Sequence, residues 1–176
     1  GLIALTSCLK GSIPQKVAME QLDAAVEEAE SLRELFGPDN FYIELQDHGL
    51  PAQQQVNPGL VRISRQTGIP VICTNDVHYL NQEDSFAHDV LLCIGTGKTV
   101  NDTDRIRYAT DQFYFKSSQE MHEVWRHLPE ALLNTVRVGE RCDLHIDTSE
   151  SLPRFDVPPG YDPDTYFEKI VREGFQ

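Results

Sequence analysis

Two neighbouring side chains in the sequence are of the types that bind divalent metals. Asp76 and His78 stand two residues apart in TNDVHY, at the end of the apolar run PVICT. Residues two apart on a strand point to the same face of a sheet. In α/β proteins, ligands and catalytic groups collect at the carboxyl ends of the strands. A carboxylate and an imidazole at such an end favour a divalent metal such as Zn²⁺ or Mn²⁺.

The same residues also have a plain structural interpretation, in which Asp76 and His78 form a hydrogen bond that only caps the strand. Cys8 ends the run LIALTSC at a comparable position, and its thiolate would be a third ligand. A free cysteine is, however, commonly just a small buried apolar residue. Glu44 and His48, at the end of FYIELQDHG, are candidates for direct ligands, for groups that support the ligands, or for strand-end residues. The sequence does not separate these alternatives.

Composition limits the class of protein. The chain has 176 residues, of which 40% are apolar, and this share is typical of a globular domain and not of a disordered or fibrous chain. No run approaches the length of about 18 apolar residues that a membrane-spanning helix needs, so no membrane partner is expected. The four cysteines have no CxxC spacing, which favours a reduced, cytoplasmic setting.

The charge of the chain is strongly negative. There are 28 acidic and 15 basic side chains, and the net charge is 15 − 28 = −13. A domain that binds duplex DNA through direct phosphate contacts usually carries a basic face. We therefore expect this chain to repel nucleic acid unless metal ions or another part of a larger protein intervene.

The pattern of apolar residues alternates between strands and helices. Strands are predicted at 2–8, 41–46 and 70–79, and helices at 16–36, 58–67 and 82–94. Three strands separated by helices predict a parallel sheet or an α/β barrel. Further on, Ser117 or Ser118 caps a helical stretch that Pro129 splits in two, the second helix running to about Cys142. A proline-rich linker at 151–163 precedes a last helix, which begins at Asp162-Pro163 and ends at Gly174.

Several segments taken together resemble successive blocks of one family. They are GLIALTSCLKG, FYIELQDHGL, PVICTNDVHYL, HDVLLCIGTGKTV and QFYFKSSQEM. These blocks are similar to the N-terminal PHP (polymerase and histidinol phosphatase) domain of bacterial replicative DNA polymerase III alpha subunits, the C-family DNA polymerases. The resemblance implies that residues 1–150 are the C-terminal portion of a PHP domain without its first strands. Residues 151–176 resemble the linker and first helix toward the polymerase core.

The resemblance implies a fold, a set of ligands and an activity. The fold is a distorted (β/α)7 barrel with metal ions at its mouth, and Cys8, Asp76 and His78 match positions of metal ligands. The activity is a metal-dependent 3′–5′ exonuclease or phosphoesterase for proofreading, within a protein that synthesises DNA. No individual residue is assigned as catalytic. Zn²⁺ or Mn²⁺ is expected in the PHP site, and Mg²⁺ in the polymerase core outside this chain.

The resemblance leaves alternatives open. One is a structural, partner-binding PHP domain with a vestigial metal site, and a more distant one is a free-standing metallophosphoesterase. The expected partners are DNA, reached through the whole polymerase, and the other subunits of the replicative holoenzyme. The family's leading H-x-H motif and other ligands would precede Gly1, so the sequence reads as starting inside a domain. A metal cluster built from this chain alone is therefore expected to be incomplete, with weak or absent activity.

Overall fold

The computed structural model describes residues 1–146, 148 and 155–175, and the chain divides into the units Gly1–Cys142 and Asp143–Gln176. The first unit holds a parallel three-stranded sheet in the order β1-β2-β3. Its strands are β1 (Ala4–Leu5), β2 (Phe41–Gln46) and β3 (Val71–Thr74). Since all three are parallel, their carboxyl ends share one edge of the sheet. This confirms the predicted parallel arrangement and places the ends that precede Cys8, His48 and Asp76 at that edge.

Helices connect and cover these strands, so the fold is a mixed α/β one. In the described part of the chain they are α1 (Ser12–Ala18), α2 (Leu22–Phe36), α3 (Pro51–Thr67), α4 (Ser85–Thr96), α5 (Ser118–Val124), α6 (Pro129–Arg141) and α7 (Pro163–Gly174), with a 3₁₀ turn at Gln82–Asp84. None of the helices in the described residues is long and apolar enough to cross a membrane.

The apolar core lies around β2, the central strand. Ile43 and Leu45 are completely buried, and neighbouring helices contribute Ala29 from α2, Ile63 from α3 and Ala131 from α6. A central parallel strand is covered on both faces, which explains the nearly continuous apolar run that its sequence shows. Packing of these helices against β2 holds the sheet in position, so groups at its carboxyl edge have fixed positions relative to one another.

Three predicted elements differ from the structure near the start of the chain. Of the strand predicted at 2–8, only Ala4–Leu5 is β-strand. The single helix predicted at 16–36 is in fact α1 and α2, separated by a turn in which Glu20 has φ +60°. A residue in the left-handed region ends a helix, and the apolar spacing continues across the break, so the pattern hid it. The helix predicted from residue 58 begins already at Pro51, where proline suits the first helical turn.

Helix boundaries further along the chain are confirmed. Ser117 caps α5, with its hydroxyl accepting from the Glu120 backbone N–H at 3.3 Å. Pro129 begins α6, Asp162 caps α7, and α7 ends at Gly174. The predicted linker at 151–163 falls partly outside the described residues, which exclude 151–154.

Close packing of α1 on α3 predicts a large difference between two glycines. A Cβ at Gly59 would overlap Val17 Cγ1, whereas a Cβ at Gly95 would meet nothing within 4 Å. We expect Gly59→Ala to lower the free energy of unfolding by about 1–3 kcal/mol, the usual cost of overpacking. Gly95→Ala, in an open helical position, is expected to raise it by up to about 1 kcal/mol. Urea denaturation of both variants tests the packing, and equal stabilities would contradict it.

Candidate metal site

Asp76 and His78 face each other just beyond the end of β3. The distance from His78 Nε2 to Asp76 Oδ1 is 3.3 Å, and the two side chains are 31% and 42% exposed. The predicted strand over 70–79 is wrong after Thr74, so alternation along a strand does not bring these side chains together. Asp76 instead adopts φ +36°, in the left-handed region that Asp tolerates better than most residues. A turn after the strand therefore forms the pair.

Asn75 holds this turn in place through three hydrogen bonds. Its side-chain amide donates to the Tyr114 carbonyl at 2.6 Å, and Lys116 Nζ donates to its Oδ1 at 3.3 Å. Its own carbonyl bonds His48 Nε2 at 3.0 Å. Because Asn75 is the residue before Asp76, these bonds also fix where the Asp76 carboxylate lies.

His48 is completely buried, and both of its ring nitrogens are hydrogen-bonded. The Gln53 Oε1 accepts from the His48 backbone N–H at 2.7 Å, so the Gln53 amide nitrogen is the atom that donates to His48 Nδ1 at 2.8 Å. His48 Nε2 therefore carries the proton and donates to the Asn75 carbonyl. In this arrangement neither ring nitrogen is open to a metal. His48 instead holds the turn that carries Asp76, through its hydrogen bond to the Asn75 carbonyl.

Cys8, which follows β1, and Glu44, which lies within β2, both line one small cavity. The Glu44 carboxylate accepts from the Thr74 hydroxyl and from Gln46 Nε2, the latter at 3.0 Å. Ser7, the residue before Cys8, has φ +68°. Cys8 thus follows a left-handed residue after β1, whereas Asp76 is itself the left-handed residue after β3. Glu44 is thus tied into a polar cluster across β2 and β3.

The structure brings some of the predicted site residues together and not others. Asp76 and His78 form a pair, and Cys8 shares a cavity with Glu44. Within the described residues, no three His, Cys, Asp or Glu side chains form a group that could hold a metal ion. The assignment of Cys8, Asp76 and His78 as ligands of one site stays a prediction.

Tyr108 belongs to this site and was missed by sequence reasoning. Its hydroxyl lies 3.3 Å from His78 Nε2, the same nitrogen that faces Asp76. Burial, and then the Asp76 charge, raises the pKa of Tyr108, which keeps the hydroxyl protonated. The segment GKTVNDTDRIRYATD reads as a polar connection with no periodicity, so no sequence signal placed Tyr108 near His78.

Four parallel rings, which we call the aromatic column, run from the core to the surface beside His78. His48 stacks on Phe113, Phe113 on Tyr108, and Tyr108 on His88, with centroid separations of 4.2, 4.7 and 5.1 Å. The His78 ring contacts the column from the side, 4.9 Å from Tyr108 and 5.6 Å from His88. Burial, and then the neighbouring His78, lowers the pKa of His88. At neutral pH His88 is therefore an uncharged ring.

An ion pair fixes the two segments that carry the outer rings. Arg105 binds Asp89 through both nitrogens, at 2.6 Å from Nη1 to Oδ1 and 2.8 Å from Nη2 to Oδ2. The Arg105 side chain is only 4% exposed. Such a two-point contact defines orientation as well as distance. It holds the loop with Tyr108 against α4, which carries His88.

Comparison with known proteins identifies the class. Residues 1–48 match the family model of the PHP domain. That range ends at His48 and includes β1, α1, α2 and β2, with Cys8 and Glu44. PHP-domain sequence thus covers the part of the chain that carries Cys8, Glu44 and His48, and it ends before Asp76 and His78.

Longer matches are to DNA polymerase III alpha subunits. The chain is 44% identical to DNA polymerase III subunit alpha of Treponema pallidum over 99% of its own length, 40% identical to that of Borreliella burgdorferi over 100%, and 36% identical to that of Mycobacterium tuberculosis over 100%. It spans 15%, 16% and 15% of these relatives, respectively. Over nearly its whole length the chain is therefore similar to a segment of DNA polymerase III alpha subunits that includes PHP-domain sequence.

The buried hydrogen bonds of His48 predict a large effect on stability. His48→Leu fills the same space with an apolar side chain. It leaves the Gln53 amide and the Asn75 carbonyl without their partner. We expect the free energy of unfolding to fall by about 2–3 kcal/mol, the cost of unsatisfied buried polar groups. The control is His122→Leu, because His122 is exposed, and its change should stay within about 0.5 kcal/mol. Chemical denaturation measures both, and similar losses would contradict the role given to His48.

Proposed function

We propose that this chain is part of the PHP domain of a replicative DNA polymerase alpha subunit and binds divalent metal for 3′–5′ exonuclease activity. Asp76 and His78 are the proposed ligands, with Cys8 as a third. The observation that carries the proposal is the Asp76–His78 pair, held 3.3 Å apart at the carboxyl edge of a parallel sheet. The comparisons support it, since the chain is similar to segments of DNA polymerase III alpha subunits and its first 48 residues match the PHP domain.

The donor chemistry fits such a metal. Carboxylate oxygen and imidazole nitrogen bind Zn²⁺ and Mn²⁺, and a thiolate binds Zn²⁺ strongly. Cys8 follows β1, whose carboxyl end lies at the same sheet edge as that of β3. A catalytic zinc site takes three protein donors, and the described residues do not assemble such a group of three. The proposal therefore requires that Cys8 approach the Asp76–His78 pair or that the full-length protein supply another ligand.

The proposal assigns the chain's own residues to holding and shielding the ligands. His48 and Asn75 fix the turn that presents the Asp76 carboxylate, and Tyr108 and Phe113 pack against the His78 ring. These contacts restrict the rotation of both ligands. A divalent ion held there would acidify a bound water and offset the charge of a phosphodiester.

The proposal also covers the rest of the chain. The three-stranded sheet and its helices would form part of a distorted seven-stranded barrel over residues 1–150. Residues 151–176 would be a linker and the first helix toward the polymerase core. DNA synthesis, its Mg²⁺ ions and contacts with other replicative subunits would then belong to the whole protein.

Removing the charge of Asp76 tests the catalytic proposal. In the full-length protein, Asp76→Asn is expected to weaken binding of Mn²⁺ or Zn²⁺ and to abolish metal-dependent degradation of single-stranded DNA, while primer extension persists. Asn tolerates a positive φ as Asp does, so the turn should be retained. Asp104→Asn, at a fully exposed position, is the control and should behave as wild type.

The alternative role gives the opposite result. If the domain serves only structure and partner binding, wild type and Asp76→Asn degrade single-stranded DNA equally or not at all. Primer extension is then the same in both. This outcome would refute the exonuclease and leave the structural interpretation.

Alkylation tests Cys8 as a ligand without relying on activity. Zn²⁺ is expected to protect Cys8 of the full-length protein from iodoacetamide at pH 8, because a metal-bound thiolate is a poor nucleophile toward the reagent. Cys142 is exposed and should react with or without Zn²⁺. Burial raises the pKa of Cys73 to about 11, so this thiol should stay unmodified in both conditions. Mass spectrometry of peptides measures each site, and equal labelling of Cys8 in both conditions would refute its role.

A further inference from the structure

A cavity of about 280 Å³ opens beside the outer end of the aromatic column. Its lining includes Tyr79, Phe86, His88, Arg107, Tyr108 and Asp111. The volume lies near the lower end of the range for ligand pockets, which is about 300–1,000 Å³. A site of this size takes one small planar group with its substituent and excludes a duplex.

The cavity lies next to the candidate metal site. Tyr108 forms part of its wall, and the Tyr108 hydroxyl is 3.3 Å from His78 Nε2. His88, on another wall, has its ring centroid 5.6 Å from that of His78. A molecule in the cavity would therefore reach the Asp76–His78 pair within the length of a single nucleotide.

The walls are fixed before any ligand arrives. The Arg105–Asp89 ion pair joins α4 to the loop that bears Arg107 and Tyr108. Tyr108 stacks between Phe113 and His88, so His88 is the last ring of the column and borders the cavity. Because the side chains of the wall are already ordered, little conformational entropy is lost when a ligand binds, and this favours affinity.

We propose that this cavity binds the 3′-terminal nucleotide of a single DNA strand, with the base against the His88 ring and a backbone phosphate at Arg107. The proposal deepens the proposed function and rests on it, since the nucleotide would lead to the Asp76–His78 pair.

The chemistry of the lining supports a nucleotide over other small ligands. Bases stack on aromatic and imidazole faces without a strong dependence on sequence. Arg107 supplies a guanidinium, the group best matched to a phosphate. Asp111 presents a carboxylate that accepts hydrogen bonds, and the exocyclic amines of bases are donors suited to it. The chain carries a net charge of −13, so the guanidinium of Arg107 beside the aromatic wall supplies a local positive charge for an anionic group.

A fluorescent nucleotide tests the cavity directly. The probes are 2-aminopurine deoxyriboside and its 5′-monophosphate, whose fluorescence is quenched on stacking, titrated against the full-length protein without metal. His88→Ala should weaken binding of both probes about tenfold or more, in line with the loss of a stacked base. His88→Phe keeps a flat ring and should retain most of the affinity.

Arg107 should act on the phosphate alone. Wild type is expected to bind the monophosphate more tightly than the nucleoside, and Arg107→Gln should remove that preference without changing nucleoside affinity. Arg62→Gln, an exposed position on α3, is the control and should keep the preference. Circular dichroism of each variant confirms that the fold is retained. Unchanged binding of both probes in His88→Ala and Arg107→Gln would overturn the proposal.

Exonuclease kinetics separate this proposal from the proposed function. Where single-stranded DNA is degraded, Arg107→Gln should raise KM with kcat largely retained. If wild type has no exonuclease activity but probe binding still depends on His88 and Arg107, the cavity proposal stands and the exonuclease fails. If the exonuclease is present and probe binding is unaffected by either variant, the cavity proposal alone fails.

Discussion

The buried imidazole of His48 is the interaction on which the site depends. It receives a hydrogen bond from Gln53 at the start of α3, donates one to the carbonyl of Asn75 after β3, and stacks on Phe113. Three segments that are distant in sequence are therefore joined at one ring inside the protein. A neutral imidazole suits this place because it offers one donor and one acceptor on opposite sides of a flat apolar face. Burial makes the geometry strict, since an unpaired polar group there would cost stability.

Strain in the neighbouring turn follows from that constraint. Asp76 holds a positive φ, which costs a non-glycine residue about 1–3 kcal/mol, and such a conformation persists where the surroundings determine it. Here Asn75 supplies the surroundings, through its bonds to His48, Tyr114 and Lys116. The backbone of His78 adds a further bond to the Phe113 carbonyl at 2.8 Å. The result is a carboxylate and an imidazole that are both partly exposed, yet set on a rigid support.

The sequence predicted the parallel sheet because the sheet depends on a local pattern, the apolar runs that mark the strands. It also predicted that Asp76 and His78 lie together, but on one face of a strand, whereas a turn after β3 forms the pair. The sequence-based prediction failed where contacts between distant segments of the chain decide the local structure. The chain leaves the predicted strand at its last five residues, 75–79, since hydrogen bonds to residues 113–116 pull it away from the sheet. Tyr108 and His88 lie beside His78 in an arrangement that the Arg105–Asp89 ion pair supports, a contact between residues 16 apart that no periodicity reveals. The role of His48 was likewise invisible, as its partners lie at positions 53, 75 and 113.

Electrostatics limits how an acidic chain could bind DNA, as the proposed function requires. At physiological ionic strength charges are screened over about 8 Å, so acids farther than this from the site have little influence on a phosphate there.

The balance of charges close to the site therefore decides whether a phosphate can bind. Asp89 is neutralised by Arg105, and the carboxylate of Asp111 accepts hydrogen bonds from Gln82 and Gln112. Asp76 remains beside an imidazole, with 42% of its side chain exposed to solvent. A phosphate can approach Asp76 only if a cation offsets its charge. The electrostatics of the site is therefore consistent with the divalent metal that the proposed function places at Asp76 and His78.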